Sequence, residues 1–215
     1  MIPRLPIVAL CVVLLTAAAG RLGAQDLSVG GRLGAVGGAV WFEDDESNDV
    51  MQPKLGLQLG GVVAYGLGSM LSLQAELWFV QKGWTETQEG GGRRMSYLEL
   101  PLLLVVAAPW GTAPELLAGV SVGLELACSV TGVPDVGGVG CDDPRVEWRH
   151  KKVQFGTWLG LGVRRRLGAS QLHVQLLGNL HLTNVNREAL PRGYTRPFSL
   201  AVSAAYLIPI GGGAR

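Results

Sequence analysis

The chain has 215 residues, a length that suits one domain. Charged residues are only 16% while glycine numbers 32, which disfavours a helical bundle and fits short strands, tight turns and a crowded interior. Lys and Arg total 18 against 17 Asp and Glu, so there is no basic bias and nucleic acid is a poor partner.

Residues 1–24 read as a secretory signal peptide. Met1 to Arg4 is a basic start, IVALCVVLLTAAAG is the apolar core, and Leu22-Gly23-Ala24 is a small-residue cleavage site. Cys11 has no lipobox around it, so a lipoprotein is not expected. Residues 25–215 are then the mature domain, and its two cysteines, Cys128 and Cys141, are expected to form a disulfide in an oxidising compartment. No segment of the mature chain has the 18 consecutive apolar residues of a membrane helix. An exported chain this apolar is either a soluble sandwich or a membrane barrel.

Eight segments alternate with period two, the signature of strands with unlike faces. They are Asp26 to Ala39, Pro53 to Tyr65, Leu71 to Gly83, Tyr97 to Ala107, Pro114 to Leu126, Val153 to Arg164, Gln171 to Leu182 and Phe198 to Ile208. The fourth, YLELPLLLVVA, is the most telling. Leu98, Leu100, Leu102, Leu104 and Val106 share one face. Tyr97, Glu99, Pro101, Leu103 and Val105 share the other. About 11 residues is the length a tilted strand needs to cross a bilayer, with hydrocarbon outside and a partly polar lumen inside. Pro101 gives the ladder no donor, so a bulge is expected there.

The connections alternate long and short, beginning and ending long. Up-and-down outer-membrane barrels have this asymmetry, with short periplasmic turns and longer outer loops, and closure removes edges that lipid cannot tolerate. The fold class is therefore all-β, an eight-stranded antiparallel up-and-down transmembrane β-barrel in the outer membrane. Trp41, Phe42, Trp84, Trp148, Tyr194 and Phe198 fall at the long-loop ends. Tyr65, Trp110 and Tyr206 fall at the short-turn ends, as two aromatic girdles would.

Three stretches carry a family resemblance. They are Tyr97-Leu98-Glu99-Leu100-Pro101-Leu102-Leu103-Leu104, Leu73-Gln74-Ala75-Glu76-Leu77 followed by Gln81-Lys82-Gly83-Trp84, and Leu182-Thr183-Asn184-Val185. Together they resemble the eight-stranded outer-membrane β-barrel domain of PorT-like proteins over about residues 26 to 210. The resemblance implies a bacterial outer-membrane barrel with no agreed catalytic residues and a possible link to protein secretion. That link is a fold-level association.

The inward phase holds Arg32, Lys54, Glu76, Lys82, Glu99, Glu115, Glu125 and Arg164. An eight-stranded barrel is just wide enough for side chains, so buried charges must pair, and a structural charge network is expected. His173 and His181 share that phase but lie about 26 Å apart at about 3.3 Å per residue, too far for one metal or one dyad. Ser121 and Ser203 lack an activated-nucleophile signature. The acidic run from Glu43 to Asp49 misses the EF-hand spacing, and Gly90 to Arg94 is no phosphate loop. No catalytic, cofactor or metal residues are expected. The expected role is non-enzymatic, in structure, adhesion or envelope assembly. Expected partners are outer-membrane lipids, the barrel-insertion machinery during biogenesis, and an extracellular or periplasmic protein. The alternatives are a soluble lipocalin-like binding barrel for a lipophilic ligand and an outer-membrane lipid-modifying enzyme.

Overall fold

A computed structural model describes residues 27–41, 51–86, 91–132, 138–144, 152–182 and 196–210. The expected signal peptide and the acidic run after Phe42 lie outside the described residues. The strands are β1 (Leu27–Trp41), β2 (Met51–Gly66), β3 (Leu71–Glu86), β4 (Gly92–Ala107), β5 (Thr112–Thr131), β6 (Val139–Gly140), β7 (Val153–Leu167), β8 (Ser170–His181) and β9 (Arg196–Pro209). Eight of them pair antiparallel with their neighbours. The order is β4-β3-β2-β1-β9-β8-β7-β5, and β4 pairs with β5 to close the ring. β6 is a two-residue addition to the outer end of β5.

The strands arise where the sequence alternates, and the alternation sorts side chains between two solvents. Leu100, Leu102, Leu104 and Val106 are exposed on the outside of β4, while Tyr97, Glu99, Leu103 and Val105 are buried within. The same holds around the ring. Leu55, Leu59, Leu77, Leu116, Leu159, Val174 and Val202 face out; Arg32, Gln58, Gln74, Glu76, Glu115, Gln175 and Ser203 face in. An apolar surface of this extent far exceeds the few hundred Å² a soluble monomer exposes, and hydrocarbon is the environment that suits it. A soluble lipocalin-like barrel needs the reverse, an apolar cavity and a polar exterior, so that alternative is excluded.

The strands run past the boundaries read from periodicity, chiefly at the outer ends. β1 extends to Trp41, β3 to Glu86 and β5 to Thr131, and β4 starts at Gly92. Ladder hydrogen bonds continue there without a greasy face, so the apolar signal fades before the strand does. The opposite connections are short. They are residues 67–70, 108–111 and 168–169; in the last, Gly168 takes a φ of +66°, a left-handed conformation that glycine reaches without a Cβ clash.

Two local expectations are corrected. Pro101 does not sit at a bulge. It pairs with Ser121 of β5 in unbroken register, and β3 and β4 keep one register on either side of it. The β4–β5 irregularity lies between Ser96 and Tyr97. The ladder simply lacks the one bond that Pro101 cannot donate. Trp84 does not join an outer girdle either. It is buried on the lumen face, beneath the guanidinium of Arg93 at 5.5 Å from the ring centroid. Even-numbered residues of β3 point inward, and that phase outweighs position near the rim. Trp110 and Tyr206 do stand exposed toward the short-turn end. Phe42, Trp148 and Tyr194 lie outside the described residues.

Candidate functional site in the lumen

The lumen contains two polar networks separated by an apolar layer. The network nearer the short turns centres on Arg32 of β1, which is 2% exposed. Its Nε donates to Glu76 Oε2 at 2.7 Å and its Nη2 to Glu76 Oε1 at 2.9 Å, a bidentate pair. Arg32 Nη1 also donates to Gln175 Oε1 and to Ser203 Oγ. Gln175 passes the connection on, donating from Nε2 to Glu115 Oε1 at 2.6 Å. The other Glu115 oxygen accepts from His173 Nδ1 at 2.9 Å. A carboxylate can only accept, so the proton sits on Nδ1. Trp78 Nε1 caps the upper side by donating to Glu76 Oε2.

Above it lies the apolar layer of Val36, Trp78, Val80, Leu103, Val105, Leu117, Trp158, Leu177 and Ala201, all buried. Trp78 and Trp158 meet edge to face, with ring centroids 5.0 Å apart. Gly60 makes room for Trp78: a Cβ there would lie 2.7 Å from the indole Cδ1. An eight-stranded ring cannot hold two indoles and a full set of other side chains at one level, which accounts for inward glycines beside them.

The outer network centres on Lys82. Its ammonium donates to Glu99 Oε1 at 2.5 Å, lies 3.4 Å from His181 Nε2, and sits 5.7 Å from the ring centroids of both Tyr97 and Trp158. Gln154 Nε2 donates to the Tyr97 hydroxyl at 2.8 Å, and that hydroxyl approaches Glu125 Oε2 at 3.5 Å. Trp158 Nε1 donates to Ser121 Oγ.

The inward residues expected from the sequence thus fall into separate groups. Arg32 pairs with Glu76, and Lys82 with Glu99. Glu115 joins the Arg32 network through Gln175. Glu125 is half-buried near Tyr97. Lys54 is half-buried near the outer end of β2 and makes no ion pair among the described residues. Arg164 is half-buried at the opposite end, where its Nη2 donates to the Ala108 carbonyl at 2.8 Å. Cys128 and Cys141 are bridged, with Cα atoms 5.4 Å apart, and clip the β5 end to the segment after β6. Ser203 Oγ accepts from Arg32 and Ser121 Oγ from Trp158, and neither bonds a histidine among the described residues. What the sequence reading missed is the indole pair. The inward phase of Trp78 and Trp158 was visible; that the barrel brings them together was not.

A closed ring with lipid-facing leucines and a polar, filled interior is a membrane β-barrel of the bacterial outer membrane. The sequence agrees: the profile of the outer membrane protein beta-barrel domain matches residues 23–186, and the chain belongs to that family. No curated protein matches it by sequence. Among solved structures it is similar to OprG from Pseudomonas aeruginosa, at 12% identity, over 87% of this chain and 97% of that one, with a TM-score of 0.49. It is also similar to the attachment invasion locus protein Ail of Yersinia pestis, at 9% identity, over 85% and 99%, with a TM-score of 0.44. The outer membrane enzyme PagL is similar at 19% identity, over 83% and 99%, with a TM-score of 0.41. Likeness at this level carries nothing about activity.

Proposed function

We propose that this protein is a non-conducting, non-enzymatic outer-membrane barrel of the PorT-like kind, exported by its N-terminal signal peptide. It acts as a rigid anchor whose outer loops serve adhesion or envelope assembly by meeting another protein. The observation that supports this most is the filled lumen. The layer around Trp78, Trp158, Leu103 and Leu177 is buried, and salt-bridged networks occupy the space on both sides. A barrel spent on a packed interior offers no wide path for a solute, so its exposed ends are where it meets other molecules. The strand ends that flank residues 42–50, 87–91, 132–138, 141–152 and 182–195 all lie at one end of the barrel, which is where that surface would be.

The test is planar-bilayer recording of the refolded chain. The expected result is a membrane with no discrete current steps, in protein shown to be folded by its heat-modifiable gel mobility. Steady single-channel currents would remove the anchor reading and put a transport role in its place.

A further inference from the structure

The short-turn end of the barrel holds a cavity of about 380 Å³, bounded by the turns at 67–70 and 168–169 and by the end of β9. Its lining is polar and cationic, with Arg164, Arg166, His173, Gln74, Gln171 and Ser72. It lies at the end away from the long connections, the end that faces the periplasm in barrels of this architecture.

Arg164, Arg165 and Arg166 are consecutive on β7, so the strand alternation sends them to opposite faces. Arg165 faces out, toward the end of the apolar band, where a long charged side chain can extend to the membrane surface. Arg164 and Arg166 face the lumen mouth, away from lipid. Glu115 is the carboxylate nearest this mouth in sequence position, and its two oxygens already accept from His173 and Gln175. Arg164 spends Nη2 on a neutral carbonyl, that of Ala108, which fixes the guanidinium and leaves its Nε without a partner. Two further buried atoms among the pocket residues have no hydrogen-bond partner: His173 Nε2 and Gln74 Oε1, on side chains 3% and 1% exposed. Arg164 Nε is a donor that an oxyanion oxygen satisfies, while His173 Nε2 and Gln74 Oε1 are acceptors that a hydroxyl on the same group satisfies.

We infer that this cavity is an oxyanion site, open to the periplasm, that takes a hydroxyl-bearing phosphate group between Arg164 and Arg166, with His173 behind it. A guanidinium matches such a group with two parallel hydrogen bonds. His173 Nε2, the acceptor nitrogen when the proton sits on Nδ1, takes a hydrogen bond from a hydroxyl of the bound group. The cavity has the size of a small-molecule site rather than a point contact. The inference stands apart from the anchor reading, which concerns the opposite end of the barrel.

The experiment uses the full mature chain, refolded in nonionic detergent with ring-¹⁵N histidine. Inorganic phosphate is titrated against chloride at constant ionic strength, and the imidazole shifts are followed by NMR. The expected result is a saturable shift of His173 with phosphate, while His181, in the outer network, stays still. Arg166→Gln, an exposed position, weakens the apparent affinity about tenfold, the equivalent of one lost charge-assisted hydrogen bond. Arg165→Gln leaves it unchanged. Titration with short-chain phosphatidylglycerol identifies the source. A response to the lipid alone assigns the site to a headgroup of the inner leaflet, and a response to both assigns it to soluble anions as well. No saturable shift with either probe, or equal weakening by Arg165→Gln and Arg166→Gln, overturns the inference.

Discussion

Arg32 and Glu76 hold each other in a space where neither touches water, both side chains being fully buried. Taking both charges out of water is expensive, and only the bidentate geometry and the added partners Gln175 and Ser203 offset it. Removing one partner leaves the other buried and unmatched. Arg32→Met is therefore expected to lower the unfolding free energy by about 3–5 kcal/mol, measured by urea titration in lipid vesicles. Arg32→Met/Glu76→Leu should recover most of that loss, because two apolar groups need no partner. A single variant as stable as the parent would mean that water reaches Glu76.

Gly60 poses a packing problem at the same scale. A Cβ at that position would lie 2.2 Å from the Leu77 carbonyl oxygen as well as against Trp78. Gly61, its neighbour on the outer face, has only one atom nearby, 4.0 Å away. Gly60→Ala is expected to destabilise by about 1–3 kcal/mol. Gly61→Ala should be near neutral in the same titration, and equal effects would show that the lumen has slack. Glycine content alone was legible in the sequence. Which glycines face an indole depended on closing the ring.

For a strand, the governing fact is which solvent each face meets. β4 was legible almost residue by residue, because its outward leucines and its inward Tyr97 and Glu99 alternate without interruption. Pro101 and Trp84 were not. The sequence shows that Pro101 cannot donate; it does not show that the neighbouring register absorbs the loss without a bulge. Trp84 stands near a loop, and nearness to the rim suggested the girdle when its even number on β3 already set it inward. The partners of Arg32 were beyond reach for a different reason: Gln175 and Ser203 lie 143 and 171 residues away along the chain. Register between such distant strands follows from barrel closure, which periodicity does not encode. The lipid face makes its own prediction. Leu102 is 46% exposed in the middle of the apolar band, so Leu102→Lys should cost about 2–4 kcal/mol of stability in vesicles. Val153→Lys, at the outer end of β7, should cost about 0–1 kcal/mol. Matching costs at the two positions would mean that the band does not lie in hydrocarbon.

The molecule as a whole is a ring whose interior is divided. Trp78 is tied by its indole N–H to Glu76 on the periplasmic side, while Trp158 is tied to Ser121 and lies beneath Lys82 of the outer network. The two rings meet between those networks, at the level that water entering from either end would have to pass. Removing both indoles deletes the widest side chains of the layer and leaves Glu76 and Ser121 each short of a donor, a cavity with polar walls that water can enter. Trp78→Ala/Trp158→Ala is thus expected to raise proton leakage across vesicles loaded with a pH-sensitive dye, while the parent chain remains tight. Loss of stability is also expected, about 3–5 kcal/mol for each truncation, so leakage is read only in protein whose gel mobility remains heat-modifiable. The folded double variant leaking no more than the parent would show that Leu103, Leu177 and their neighbours close the barrel unaided. The indole pair would then be a packing feature, and the barrier would be spread along the whole lumen.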